Sequence, residues 1–417
     1  MISYKQASQI LKKSSILIKD ETINSKDAVN RIASSNINSP TQYPSANNAA
    51  FDGFAIRSKD TRGLNKNNPK KFKIIGCIVP GNKPLAKKIN PFETVEIMTG
   101  GVLPEPFDTI IPVEQIKFDP NKRDKKYIII NQNIKKYLHV RFKGSDYKKN
   151  DLIIKKGTII QPNHILALET LGIQKVKVKK KPNILFFSTG NEISNNKIIP
   201  EWKIRNSNSK YINALDKNFL FNFKNGGILK DHHEKNFTNH IKKMLKSNID
   251  IIITSGAVSA GKFDFIPNAI KKFSLSNYFS HVSIRPGKPI LFAKIKGSSK
   301  IIFGLPGNPI SSAACFRFFV QPFLMQILGV LKERPLKTIL KREFRKKKSI
   351  TRFVKSRLTS TKEGRLELEV LQKQESFRIR SFIHSNIWAI FPSGKSIFKK
   401  GDIIDCYTPH LSNNTII

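Results

Sequence analysis

The sequence predicts a multidomain α/β protein organised around a doubly wound parallel sheet. From residue 183 to 328, uninterrupted apolar runs of strand length alternate with helical patterns, as expected of strands buried on both faces and joined by crossover helices. Residues 72–131, and again the tail from residue 335, break instead into short β-like segments punctuated by Gly, Pro and Asn, which predicts two β modules. A chain of 417 residues that is 39% hydrophobic has material for several domains, each with its own core.

Taken in order, residues 4–35 read as two helices. Ala7, Ile10 and Leu11 recur at helical spacing, and Ala28, Val29, Ile32 and Ala33 form a second stripe. Small residues then crowd Asp52-Gly53, which on spacing alone reads as a plain turn, although small neighbours also let a ligand approach Asp52. Within the β module, Thr99 precedes Gly100-Gly101, and Asp108 and Glu114 flank a strand; solvated hairpin acids and a site fit this pattern equally. A helix is expected over residues 162–171, and the basic run ending at Pro182 marks a boundary. The apolar region of residues 315–331 contains Arg317, Gln321 and Pro322, so it reads as a buried helix and no membrane partner is expected.

Composition limits the function classes. The 74 Lys+Arg outweigh 30 Asp+Glu, giving a formal net charge of +44, which invites a nucleic-acid reading. The basic residues, however, are spread over the whole length among abundant Asn and Ile, without a recognition motif, as in drift toward the codons of an AT-rich genome. Specific nucleic-acid binding is therefore the alternative reading, and it predicts binding that survives physiological salt. Cys77, Cys315 and Cys406 are too widely separated for a metal-ligand pattern and suit a reducing compartment. Lys12 and Lys13 interrupt any signal-type apolar core near Met1, so a cytoplasmic location is expected.

The chemistry concentrates at three strand ends. Ile251-Ile252-Ile253-Thr254 runs into Ser255, Gly256, Ser259 and Gly261, then Asp264; Ser188-Thr189-Gly190 leads to Glu192; and Leu305 leads into Pro306, Gly307 and Asn308. In a parallel sheet these turns share one edge, where backbone N–H groups and hydroxyls can hold phosphate. Asn308 or Ser311 is placed to cap the helix that follows. Arg285 and Lys288 add two cations on a Pro-Gly loop.

These residues together resemble the MoeA family of molybdopterin molybdenumtransferases, to which the E domain of gephyrin is related. Asn48-Ala49-Ala50-Phe51-Asp52-Gly53-Phe54-Ala55 is similar to N-S-A-M-D-G-Y-A, and Ile97-Met98-Thr99-Gly100 with Asp108 to I-M-T-G with its later acid. Ser188-Thr189-Gly190-Asn191-Glu192 resembles S-T-G-D-E, residues 254–264 resemble T-S-G-G-V-S-V-G-x-x-D, and Arg285-Pro286-Gly287-Lys288-Pro289 and Leu305-Pro306-Gly307-Asn308-Pro309 resemble K-P-G-K-P and L-P-G-N-P. The resemblance covers nearly the whole chain. It implies an N-terminal linker and dimerisation domain (1–43 and 138–178), an inserted β-rich module (44–137), a molybdopterin-binding α/β domain (179–330) and a β-barrel-like C-terminal domain (331–417).

It further implies a homodimer with active sites shared between subunits, possible contact with the molybdopterin adenylyltransferase, and a magnesium-assisted reaction. In that reaction adenylated molybdopterin and molybdate give molybdenum cofactor and AMP. Asp52, Thr99, Asp108, Asp146, Glu192 and Asp264 would carry catalysis, with Glu192 and Asp264 on the metal. Ser255, Gly256, Ser259, Gly261, Arg285, Lys288, Pro306, Gly307 and Asn308 would hold the cofactor precursor. Departures from the motifs are Asn191 for an acid, Ala257 for a glycine, Arg285 for a lysine and His281 for a base, while Asp231, His232, His233 and Glu234 fit no motif position. A catalytically weakened pterin-binding scaffold of the same fold is the alternative these departures leave.

Overall fold

The computed structural model describes residues 1–83, 87–216, 220–230, 233–258, 265–330 and 332–409. Ser259, Gly261, Asp264, Asp231 and His232 lie outside the described residues. The chain divides into two compact units, one drawn from Met1–Ser35, Lys155–Ile165 and Lys175–Ile417, the other from Asn36–Ile154 and Leu166–Gln174.

The first unit opens with α1 (Tyr4–Lys13), started by a capping box in which Ser3 Oγ accepts from the Gln6 N–H and the Gln6 side chain accepts from the Ser3 N–H. Its buried face, Ala7 and Leu11, joins the main core. The expected second helix does not form. Asp20–Asn24 is instead a strand paired antiparallel with Lys175–Lys179, and Ile32 and Ala33 make single bridges to Ile159 and Val178. The apolar stripe at residues 28–33 is buried by these distant partners, so tertiary pairing overrides a pattern that locally fits a helix.

The second unit is built on a six-stranded sheet: β1 (Gly53–Ile56), β2 (Lys70–Ile78), β3 (Glu93–Ile97), β4 (Thr109–Pro112), β5 (Lys117–Pro120) and β6 (Lys125–Ile130), in the order β4-β1-β3-β2-β6-β5. Every residue of β1 is buried, because Ala55 packs into an apolar cluster with Val95 and Ile110, while Phe54 and Ile56 join another with Phe72 and Ile128. The expected β module is thus a two-faced sheet. The expected helix follows as α2 (Pro162–Thr170).

Back in the first unit, a second six-stranded sheet comprises β7 (Asn183–Thr189), β8 (Asn222–Leu229), β9 (Ile251–Ser255), β10 (Leu275–Phe279), β11 (Leu291–Ile295) and β12 (Ile301–Leu305), ordered β8-β7-β9-β12-β11-β10. The first four in that order are mutually parallel, whereas β11 and β10 add on antiparallel. Alternate residues of the central strands face opposite layers. Phe186, Ile253 and Phe303 pack with residues of α6 (Pro309–Cys315) and its continuation, and Phe187, Ile252 and Ile302 with residues of α4 (Glu234–Leu245) and α5 (Ile266–Lys271). Full burial of such side chains stabilises the fold by roughly 1.5–3 kcal/mol each. This is the doubly wound arrangement, extended at one edge by an antiparallel pair.

A π-helical turn (Phe316–Val320) joins α6 to α7 (Gln321–Ile327). This segment is buried, as its composition requires. Within it the guanidinium of Arg317 pairs with Glu333 at 2.6 Å, donates to the Thr408 carbonyl at 2.7 Å and lies over the Tyr407 ring.

The C-terminal β module is a closed barrel. β13 (Leu336–Leu340), β14 (Thr351–Ser360), β15 (Leu366–Val370), β16 (Ile387–Phe391) and β17 (Ile403–Tyr407) pair in the ring β14-β15-β13-β17-β16-β14. Leu340, Val354, Leu368, Ala389, Phe391 and Cys406 fill its interior. The short α8 (Ile379–Ile383) lies between β15 and β16.

Candidate active site

The chain runs from β7 outward to β8, then returns past β7 to β9, so the carboxyl ends of β7 and β9 flank the topological switch point, where open α/β sheets bind ligands. Three turns meet there. Thr189 Oγ1 donates to the Ser255 carbonyl at 3.0 Å, joining the β7 and β9 ends. The Gly256 N–H donates to the Leu305 carbonyl at 2.8 Å, and Ser255 Oγ to the Pro306 carbonyl at 3.2 Å, joining β9 to β12. Gly256 (φ +104°) is required on two grounds: its backbone is left-handed, and a Cβ there would sit 2.5 Å from the Thr189 carbonyl oxygen.

One residue absent from the expected set joins two of these turns. Asn208, near the start of α3 (Ser207–Asp216), donates through Nδ2 to Ser255 Oγ at 2.7 Å and to the Gly307 carbonyl at 2.8 Å. Asn206, just before it, accepts from Ser188 Oγ at 2.6 Å. The run Asn206-Ser207-Asn208-Ser209 was the available signal, but in so Asn-rich a chain it carries little contrast.

The other expected residues of this unit are placed as follows. Glu192 is exposed beyond β7, its carboxylate folded back over Gly190, where a Cβ would lie 2.4 Å from Oε2. Pro306 is buried, and Gly307 and Asn308 are exposed ahead of α6. Asn308 occupies the N-cap position but makes no side-chain capping bond, contrary to expectation; its backbone does accept from Ser312 at 2.9 Å. Arg285 and Lys288 are exposed, and among the described residues neither bonds to Ser255 or Gly307. Arg285 pairs in register with Arg352 at the barrel, and Lys288 lines a cavity of about 450 Å³ with Met1, Tyr278 and His281. Burial first, then Lys288 and the chain amine, hold the His281 imidazole below its ordinary value. Gly287 packs so closely that a Cβ there would meet Cys315 Sγ at 2.3 Å, which anchors the loop against α6. Among the described residues no group of three or more His, Cys, Asp or Glu side chains is assembled around a common point.

The second unit brings Asp52 and Thr99 together. Gly53 is paired with Ile97, and a Cβ on Gly53 would lie only 2.0 Å from the Ile111 carbonyl oxygen, so the close strand contact demands glycine after Asp52. Thr99, two residues past Ile97, donates its N–H at 2.6 Å and its Oγ1 at 2.7 Å to Asp52 Oδ1. These bonds, the backbone one foremost, lower the Asp52 carboxyl pKa while leaving the side chain exposed. Asp108 is not joined to this pair: its oxygens accept from the Ser58 N–H at 2.8 Å and the Ser58 hydroxyl at 2.9 Å. Asp146 is exposed beside a turn in which its N–H donates to the Tyr43 carbonyl at 3.0 Å.

Comparison with known proteins decides the ancestry of this arrangement. Three family models match in succession: the MoeA N-terminal region (domain I and II) over residues 2–172, the probable molybdopterin binding domain over residues 186–326, and the MoeA C-terminal region (domain IV) over residues 337–408. The chain is 31% identical over 388 residues to the molybdopterin molybdenumtransferase of Staphylococcus aureus (strain COL), covering 92% of this chain and 90% of that protein. The chain belongs to the MoeA family. A second relative of the family, the molybdopterin molybdenumtransferase of Staphylococcus epidermidis (strain ATCC 12228 / FDA PCI 1200), is 30% identical over 409 residues, 97% of this chain and 94% of that one. The molybdopterin biosynthesis MoeA protein from Pyrococcus horikoshii OT3 superposes with a TM-score of 0.80 at 25% identity, covering 98% of this chain and all of that structure. Among the described residues no helix is long and apolar enough to cross a membrane.

Proposed function

We propose that this protein is a transferase of molybdenum cofactor biosynthesis that inserts molybdate into adenylated molybdopterin with release of AMP and the assistance of magnesium. The observation that carries this reading is the convergence of three polar turns at the sheet's switch point, two of them joined by Asn208 and the third tied in by Thr189, in a chain whose relatives carry that transferase name over 92% of its length. The backbone N–H groups of Gly307 and Asn308 suit the phosphates of the pterin substrate, on turns whose shape Ser255, Gly256 and Pro306 set: the Ser255 hydroxyl and the Gly256 N–H are given to the Pro306 and Leu305 carbonyls. Arg285 and Lys288, with Ser259 and Gly261 of the same glycine-rich segment, complete the set we assign to substrate binding.

Magnesium is commonly held by one or two carboxylates together with substrate phosphates and water. The donor chemistry here fits that pattern: Glu192 offers an exposed carboxylate at the end of β7, and Asp264 supplies the second in our assignment. Held by Glu192 and Asp264, such an ion would supply neutralisation of the phosphate charge. Asp52, kept ionised and oriented by Thr99, is assigned a catalytic role, with Asp108 and Asp146 as the remaining acids of the set. The same reading makes the protein a cytoplasmic homodimer of the four domains delimited above. It receives its substrate from the adenylyltransferase and needs no nucleic-acid partner.

The test incubates the purified protein with adenylated molybdopterin, molybdate and magnesium. AMP should appear in a molybdate-dependent manner, and chelation of the metal should stop it. Release no greater than that of an Asp52→Ala variant overturns the assignment, and substrate binding without release identifies a scaffold.

A further inference from the structure

The C-terminal barrel carries a second cationic feature that the reaction above does not use. Between β14, the loop after β15 and α8 lies a cavity of about 480 Å³, within the range of small-ligand sites, lined by Arg357, Lys373, Arg378, Arg380, Ser381 and His384. Four of these side chains are permanent cations. Two carboxylates stand near them: Glu375, which sits 3.8 Å from Arg378, and Glu369, across the strand pair from Arg357 but beyond ion-pair distance. Among the described residues no carboxylate pairs with Arg357, Lys373 or Arg380.

The wall of this bowl is fixed from beneath. Lys355, 1% exposed, donates its ammonium to the carbonyls of Lys373 at 3.1 Å, Glu375 at 3.3 Å and Arg378 at 3.1 Å. Those three acceptors match its three N–H bonds. Gln374 accepts from the Lys355 N–H at 3.0 Å and donates to the carbonyls of Lys355 at 2.8 Å and Leu371 at 2.7 Å. Ser381 Oγ donates to the Lys373 carbonyl at 2.9 Å, and Arg357 reaches the His384 carbonyl at 3.4 Å. The lining cations therefore project from a backbone held in one shape, and the buried ammonium adds positive charge below them. Like charges gathered on a rigid wall repel one another, and a multivalent anion relieves that repulsion at little ordering cost.

We propose that this bowl is a binding site for an anion of the diphosphate class, separate from the turns at the switch point. The volume exceeds what one tetrahedral anion fills, and the excess of cations over carboxylates matches a ligand of several negative charges. Arg357, Arg378 and Arg380 can each offer paired N–H donors to phosphate oxygens, with Lys373 as a point charge and Ser381 as a hydroxyl donor.

Calorimetric titration of the full-length protein with inorganic pyrophosphate at fixed physiological salt tests the site. Pyrophosphate should bind more tightly than sulfate. A Lys373→Gln/Arg380→Gln variant, both positions being exposed, should weaken its binding by roughly tenfold or more, while an Arg62→Gln/Lys66→Gln variant, which removes the same charge from exposed positions elsewhere, leaves that affinity unchanged. An unaltered melting temperature of the Lys373→Gln/Arg380→Gln variant confirms that its loss is one of binding. The proposal falls if the Lys373→Gln/Arg380→Gln variant binds pyrophosphate like the parent, if Arg62→Gln/Lys66→Gln weakens binding equally, or if sulfate binds as tightly. Because the readout is binding in the absence of pterin, failure here leaves the transferase reading untouched, and failure of AMP release leaves the bowl untouched.

Discussion

Ala257 stands where the family motif has glycine, and its backbone is left-handed, with φ +54°. A side chain in that region costs roughly 1–2 kcal/mol, which glycine avoids, although glycine gives back about 0.4–1 kcal/mol through the greater freedom of the unfolded chain. Ala257→Gly should therefore stabilise the first unit by about 0.5–1 kcal/mol, seen as a rise in its calorimetric transition; an unchanged or lower transition contradicts the strain argument. Asp52 gives a second prediction at this scale. Its folded-state pKa is lowered by the two Thr99 bonds, so their contribution is present above the ordinary carboxyl value of about 3.9 and is lost as pH falls through the lower folded value. In Thr99→Val the hydroxyl bond disappears, and the Asp52 carboxyl should titrate closer to its ordinary value by carbon-13 NMR. An unmoved titration would assign the whole depression to the backbone N–H.

At the scale of elements, the helical segment after β12 depends on Arg317. Its side chain is 2% exposed and its partner Glu333 8% exposed, so removing either charge strands the other away from water. Arg317→Ala should cost about 3–5 kcal/mol, and a double replacement by apolar residues of similar volume much less. Thermal unfolding of both variants distinguishes these outcomes; equal losses would mean that packing, not the unpaired charge, sets the cost. The presence of Arg317 excluded a membrane span from the sequence alone, but its partners, more than a dozen residues away in sequence, were not legible there. The same limit explains the missing second helix: Ile32 and Ala33 bridge to Ile159 and Val178, and no local periodicity reports a partner at that separation. Asn208 was missed for another reason, since its importance lies in where α3 places its amide and not in any pattern around it.

For the whole molecule, the parallel sheet, the β module and the C-terminal β domain were readable because each is set by a period repeated over many residues. Strand direction at the β11–β10 edge was not, because apolar runs look alike in either orientation. The convergence of the Ser255 and Gly307 turns followed from sheet order, whereas Asp108 bonding to Ser58 and Lys288 lining a cavity with His281 are matters of side-chain reach that spacing does not encode.

Ring closure of the C-terminal barrel has a consequence for this strongly basic chain when it is concentrated or partly unfolded. The ring from β14 through β16 and back to β14 offers no unpaired edge along its strands, so it presents no template on which a second molecule could add a strand. The two six-stranded sheets do end in edges, at β8 and β10 in one and at β4 and β5 in the other. Strand-by-strand association would start on those sheets or on two-stranded pairs such as Asp20–Asn24 with Lys175–Lys179, which end in edges too, while the barrel stays a bystander until its own hydrogen-bond ring is broken.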